Sequence, residues 1–368
     1  MNEFSRALPQ TVLREATDRR LLDETIRQGR TTRAELADVT GYSRPTVSEA
    51  VRRLVDGGLL DATGLKETGR RGRVGTFYEL GAQSGWVLGL ELDQSGVHAR
   101  AADLGGRTRA ELRRPPTPPG DAAALAESVR AAVRTIDGGA GPLRTVGVSI
   151  ANPVDPATRQ TIPLAGTPFP EGLLSPVEMI GDLVSAPVLV DNDVNLAALA
   201  EHRVGRAAGE AGFAYVYVGA GLGVGLYIGD QLIRGAHGLA GEVGYLPGAA
   251  APTIAGDLAA GGLGRTDAPS NDVAAALALL DRSDETALRV LAHAVARAIN
   301  SVAAVVDPAL VLLGGPVGTH PALLPRVRAA ISFPGPIRVE HGALGTDASL
   351  CGALELAIEH ARAAAVAV

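Results

Sequence analysis

Apolar positions recur at helical spacing in the first sixty residues and then alternate in short runs through the rest of the chain. Leu21, Leu22 and Ile26 predict an amphipathic helix over Asp18–Gln28. Thr32-Arg33-Ala34-Glu35 spells a capping box and starts a second helix. Ser43 can cap a third, with Pro45 in its first turn, and Val47, Val51 and Leu54 form its buried stripe. Ala37 is small where helices two and three would cross, and Gly41 supplies the left-handed residue between them. Gly57-Gly58 stops the third helix, and Leu59-Leu60 and Thr76–Leu80 read as short strands.

These offsets predict a helix-turn-helix, and the hairpin from Gly64 to Gly75 predicts its wing. Arg44, Pro45, Thr46, Ser48 and Arg52 are left on exposed faces of the third helix to meet a DNA major groove, with Arg52 and Arg53 partly on phosphates. Arg70, Arg71 and Arg73 would work from the wing. A solvated charged loop is the alternative for that arginine-glycine tip, and its place sixteen residues after a recognition helix favours the wing.

Residues 1–80 are thus a DNA-binding unit, 81–85 a linker, and 86–368 a second body. Trp86–Leu92, Val97–Asp103 and Arg107–Leu112 read as three strands, followed by a helix at Ala122–Ile136 and a buried strand at Thr145–Ile150. Ala214–Val218, Gly223–Ile228 and Gln231–Ile233 repeat the order, then helices and the strand Ala309–Leu313. The repetition implies a duplicated α/β lobe with a cleft between copies, the first hairpin turn of each copy facing it.

Charge sharpens this division. The chain has 368 residues and net charge −6, but residues 1–80 hold 14 basic against 12 acidic groups and the remainder is net −8. Positive charge sits where DNA would lie. One cysteine, Cys351, excludes an internal disulfide and a multi-cysteine zinc site. The N-terminus has no apolar signal core, and the long uncharged run Ala211–Gly229 reads as two strands and a turn rather than a membrane helix, so a cytoplasmic protein without a membrane partner is expected.

Thr32–Leu60, the Gly-Arg-Arg-Gly-Arg segment and the duplicated lobes resemble the ROK family (repressor, open reading frame, kinase), and more narrowly its sugar-responsive repressors. Val190-Asp191-Asn192-Asp193-Val194-Asn195 is similar to the stretch that binds sugar hydroxyls and carries the catalytic aspartate. Gly219–Gly225 is similar to the second phosphate loop, Gly241-Glu242-Val243-Gly244 to the sugar motif Gly-Glu-x-Gly-His, and Asp307–Gly315 to the adenosine-side segment. The resemblance implies an actin-like, sugar-kinase-like two-lobed body behind a winged helix-turn-helix, and a homodimer or homotetramer.

Three departures follow. Where family kinases have Asp-x-Gly-Gly-Thr-Lys, this chain reads Glu91-Leu92-Asp93-Gln94-Ser95-Gly96, with a carboxylate in place of an anion cradle. Tyr245 replaces the motif histidine, and Leu246–Gly264 has neither cysteine nor histidine where the family's zinc segment should follow. Neither ATP nor zinc is therefore expected as a cofactor, and no metal site or catalytic residue is assigned; Asp193 remains only a vestigial base. Ligand contacts are expected from Asn152, Asn192, Asp193, Glu242 and Tyr245. Two alternatives stay open: Asn192-Asp193 as an ordinary helix cap, and Gly219–Gly225 as a turn whose glycines serve only the backbone. The expected function is a DNA-binding regulator, a repressor, of a double-stranded operator, controlled by a sugar or sugar derivative. An active sugar kinase with a DNA-binding domain, or a regulator that has lost sensing, are the alternatives.

Overall fold

The computed structural model describes residues 10–66, 75–93, 95–118, 120–164, 174–264 and 271–367. Its N-terminal unit contains α1 (Gln10–Gln28), β1 (Thr31–Thr32), α2 (Arg33–Thr40), α3 (Arg44–Asp56), β2 (Leu60–Lys66) and β3 (Gly75–Leu80). The capping box forms as predicted: Thr32 accepts from the Glu35 amide while the Glu35 carboxylate accepts from the Thr32 amide. Gly41 is left-handed at φ 74°, and Ser43 caps α3. Val47, Ala50, Val51 and Leu54 face inward. A strand not foreseen, β1, pairs with β3, so the wing hairpin is the outer part of a three-stranded sheet in the order β1-β3-β2. The wing-tip residues Arg70, Arg71 and Arg73 lie outside the described residues.

The first lobe runs β4 (Trp86–Asp93), β5 (Gly96–Asp103), β6 (Thr108–Arg114), α4 (Ala122–Thr135), β7 (Leu143–Ile150), α5 (Pro176–Ile180), β8 (Val188–Asn192) and α6 (Asp193–Arg203). The second runs β9 (Gly212–Val218), β10 (Leu222–Ile228), β11 (Gln231–Ile233), α7 (Ile254–Leu258), α8 (Val273–Asp281), α9 (Glu285–Val306), β12 (Leu310–Gly314), α10 (Gly315–Gly318), α11 (Leu323–Ala330), β13 (Arg338–His341) and α12 (Ala348–Val366). The sheet orders are β6-β5-β4-β7-β8 and β11-β10-β9-β12-β13, the same topology twice. The duplication read from the sequence is present, and each copy gains a fifth, parallel edge strand that the sequence pattern did not separate from its flanks. The run Ala211–Gly229 forms the hairpin β9–β10. Among the described residues one helix, α9, is long and apolar enough to cross a membrane, but half of that stretch is buried in the core of the second lobe.

Each lobe lends a helix to the other. α6 leaves the first lobe and packs on β9 and β10, while α12 leaves the second and packs on β4 and β7. Such close approach needs bare backbone. A Cβ on Gly147 would lie 2.0 Å from the Ala353 carbonyl, and one on Gly225 would lie 2.7 Å from both the Ala198 methyl and the Val194 carbonyl.

α12 also reaches the N-terminal unit. Leu21 and Leu22 of α1 share one apolar core with Val87, Ala102 and Leu104 of the first lobe and with Ala357, Ile358 and Ala361 of α12. Arg362 donates to Asp23 at 3.2 Å and to the Leu104 carbonyl at 2.7 Å. The segment read as a linker, 81–85, is short and is held at both ends. The Gly81 amide donates to Leu59, the Ala82 amide to the Asp61 carboxylate, and Arg144 to the Ser84 carbonyl. Residues 81–85 form a turn tied on both sides, so the two units meet through a packed surface.

Candidate functional site

On α3, Arg44, Pro45 and Thr46 are exposed and Ser48 half-buried, in keeping with a face open to a groove. Thr46 and Ser43 share a hydrogen bond of 2.8 Å between their hydroxyls. Arg52 is exposed but held by Glu49 and Asp56 of its own helix. Arg53 differs from expectation. Its guanidinium makes a forked pair with Asp18 of α1 at 2.6 and 2.8 Å, and Asp18 is buried. A phosphate would have to displace that pair, so Arg53 belongs to the helix packing rather than to the exposed face.

Between the lobes lies a cavity of about 550 Å³. Its lining draws Asp93 and Ser95 from the β4–β5 turn, and Ala220 and Gly221 from the β9–β10 turn, so both first hairpins do face one cleft. Asn152, Asn192, Asp193, Glu242 and Tyr245 line it too, so every residue expected to touch a ligand is brought together. Sequence reading missed Tyr217, Val194, Leu222 and Val273, which give the cleft an apolar side. Tyr217 lies in the alternating strand β9, and its local pattern alone does not mark it as a cleft residue.

The polar residues differ in what they have left to offer. Asn192 caps α6, its Oδ1 accepting from the amides of Val194 and Asn195. Its Nδ2 donates to Ala151, to Asn152 and to Asp193. Both ends of the amide are engaged, so Asn192 serves as cap and floor tie, with ligand contact left to its neighbours. Asp193 Oδ1 accepts from the Val194 amide at 2.8 Å and from Asn192, and no protein donor reaches Oδ2 among the described residues. Burial, together with repulsion from Glu91 and Glu242, raises the Asp193 carboxyl to about 7. Burial also raises Glu242. Tyr245 is 55% exposed at the rim, and burial followed by the Glu242 charge raises its phenol. The exposed His237 does not line the cavity.

The two hairpin turns explain their own residues. Asp93 Oδ1 accepts from the Ser95 amide, the Ser95 hydroxyl and the Gly96 amide, at 2.7, 2.6 and 3.1 Å. The Ser95 and Gly96 amides, donors that could help cradle a phosphate, are thus occupied by the turn's own carboxylate. In the opposite turn, a Cβ on Gly219 would strike the Tyr217 ring, and one on Gly223 would press on Val194. Those glycines have packing reasons. Asn271 holds this turn by donating to the carbonyls of Ala220 and Gly219.

The loop after Tyr245 contains no soft donor to fit a zinc ion, and carboxylate chemistry stabilises it instead. Asp257 accepts from the consecutive amides of Ala249, Ala250 and Ala251, and Arg297 lies 3.6 Å away. Ile254, Leu258 and Leu263 anchor the segment in the second-lobe core. Gly241, at φ +91°, lets this wall reach the sheet: a Cβ there would sit 1.8 Å from the Val224 carbonyl. Gly241→Ala is expected to destabilise the protein by more than about 3 kcal/mol, read as a shifted denaturation midpoint. An unchanged midpoint would show that the wall is loose.

A model described as the ROK family matches residues 87–256, and a winged helix-turn-helix DNA-binding model matches residues 14–61. The chain is 29% identical over 190 residues to the bifunctional enzyme NanE/NanK of Brucella melitensis, covering 48% of this chain and 36% of that one. It is 22% identical over 240 residues to the xylose repressor of Bacillus subtilis, covering 64% and 62% respectively. The chain thus spans less than two thirds of the length of either relative. Among solved structures, a ROK family transcriptional regulator described as a homolog of the E. coli MLC protein superposes with TM-score 0.69 at 16% identity. That match covers 96% of this chain and 98% of the other, so it extends the shared fold through both the N-terminal unit and the lobes.

Proposed function

Because this chain joins a ROK family domain to an N-terminal winged helix-turn-helix, we propose that it is a transcriptional repressor whose grip on an operator is set by a sugar in the inter-lobe cleft. One observation carries the reading: the helix that presents Arg44 and Thr46 is built into the same apolar core as α12, which packs on the lobes that enclose the cleft. Asp193, Glu242 and Asn152 supply the acceptors that hydroxyl recognition requires. A ligand that fits one lobe arrangement better than another shifts α12, and with it α1 and α3. The protein acts in the cytoplasm, as a two-fold dimer on half-sites spaced by helical turns. Its relatives' names supply the precedent of a xylose repressor.

Selection of binding sites from random duplex, followed by titration over a salt series, tests this. Arg44→Ala is expected to lose sequence preference at a cost of about 1–3 kcal/mol, whereas Arg71→Ala weakens all DNA alike and lowers the salt slope by about one. Equal binding to selected and random duplex at every salt concentration would refute specific recognition.

A second reading, an active sugar kinase, draws on Asp193 Oδ2, which no donor among the described residues engages, and on a raised carboxyl that suits a general base. Against it stands Asp93, whose carboxylate occupies the amides of the first turn and adds negative charge where a nucleotide's phosphates would go. ATP consumption over a sugar panel, with Asp193→Ala as control, separates the two. Asp193-dependent phosphorylation would overturn the non-enzymatic reading.

A further inference from the structure

The groups at the polar end of the cleft are acceptors in want of donors. Asn152 is 2% exposed and lines the cavity. Its Nδ2 donates to the Ile162 carbonyl at 3.3 Å, and its buried Oδ1 has no partner among the described residues. Asp193 keeps Oδ2 clear of protein donors, and no side chain or amide among the described residues donates to the Glu242 carboxylate. The charged residues of the lining are Asp93, Asp193 and Glu242; of the described residues that line the cavity, none is basic.

A neutral hydroxyl offers such a site one proton. An ammonium offers three, with the charge that opposes the carboxylates. Sugar phosphates and sugar acids would add an anion to carboxylates with no cation among the described lining residues to receive it. The opposite side, with Leu222, Val194 and Val273, suits the apolar face of a pyranose ring. We propose that the cleft takes a sugar bearing a free amine, held as its ammonium by Asp193, Glu242 and Asn152, and that it turns away phosphorylated and carboxylated sugars. This assignment rests on the cleft being a sugar sensor. It also accounts for the crowding of acid groups: repulsion from Glu91 and Glu242 opposes ionisation of Asp193, and an ammonium relieves that repulsion.

Calorimetric titration of the full chain at pH 7 tests the assignment. The probes are glucosamine, mannosamine and galactosamine, each against its hydroxyl counterpart, its N-acetyl form and its 6-phosphate. At least one amino sugar is expected to bind about ten-fold more tightly than its hydroxyl counterpart, with the phosphate not bound. Glu242→Gln, and separately Asp193→Asn, are expected to remove that preference while a melting curve confirms that each variant is folded. Equal or tighter binding of the neutral or phosphorylated sugars would overturn the assignment, as would an amine preference untouched in both variants. If a neutral sugar binds best and also releases operator DNA, sensing stands and the amine falls. If no sugar of any class binds or changes operator affinity, both readings fall together.

Discussion

Asp193→Asn is expected to raise the dissociation constant for the cleft's sugar by about 10- to 100-fold, because one charged acceptor facing the ligand is lost. Operator release then requires correspondingly more sugar, while affinity for the operator without sugar is unchanged. Asparagine can still accept from the Val194 amide at the position of Oδ1, so the local helix start survives. The same variant has a second signature. The Asp193 carboxyl is raised to about 7 in the folded chain, chiefly by burial and then by Glu91 and Glu242, from an ordinary value of 3.8. A raised carboxyl means that the fold favours the protonated form. Its contribution to stability is therefore full below about pH 4 and is lost as pH climbs to 7, above which the ionised group is a standing penalty on the order of 4 kcal/mol. Asparagine carries no such penalty. Without ligand, the variant should gain on the wild type between pH 4 and 7 and keep a level advantage above, measured as the difference in melting temperature. A variant that loses ground as pH rises would show that Asp193 is stabilised by charge, and the account of the cleft as an acceptor-rich, repulsive site would be wrong.

Leu22→Ala should cost about 2–5 kcal/mol, and its informative feature is where the loss appears. Leu22 is fully buried in a core shared by α1, the face of β4 and β5, and α12. If the N-terminal unit hung on a free linker, the variant would unfold that unit early and leave the lobes' transition in place. With the shared core, calorimetry should give one transition for wild type and variant, shifted as a whole, and operator affinity should lose its sugar dependence as α12 loosens from α1. At the same boundary the Arg362–Asp23 ion pair and the hydrogen bond from Arg19 to the Glu359 main-chain carbonyl fix orientation more than they add stability. Two separate transitions would overturn the idea that this surface carries the signal.

The N-terminal helices were legible residue by residue because what specifies them is local. Thr32 with Glu35, Gly41 with the Ala37 carbonyl, and Ser43 with Thr46 all act within four positions. The duplicated lobes were legible for a related reason: strand alternation and glycine turns recur in the same order, and the two sheets repeat one topology. Asp93 could be read as hostile to phosphate, but only the geometry shows its carboxylate taking the amides of Ser95 and Gly96.

The chain's sequence by itself determined a winged helix-turn-helix, a two-lobed body, and the residues that meet in the cleft. The tertiary structure decided which of those residues remain available. It assigned Asn192 to the α6 cap, gave Arg53 to Asp18, and left Asn152 Oδ1 without a partner among the described residues. It also decided how the units join, since Leu22 shares one core with α12, more than 300 residues away along the chain. Caps and turns are settled by neighbours along the backbone. Unmet acceptors and shared cores are settled by distant segments that exclude water together, and no local pattern encodes which segments those will be.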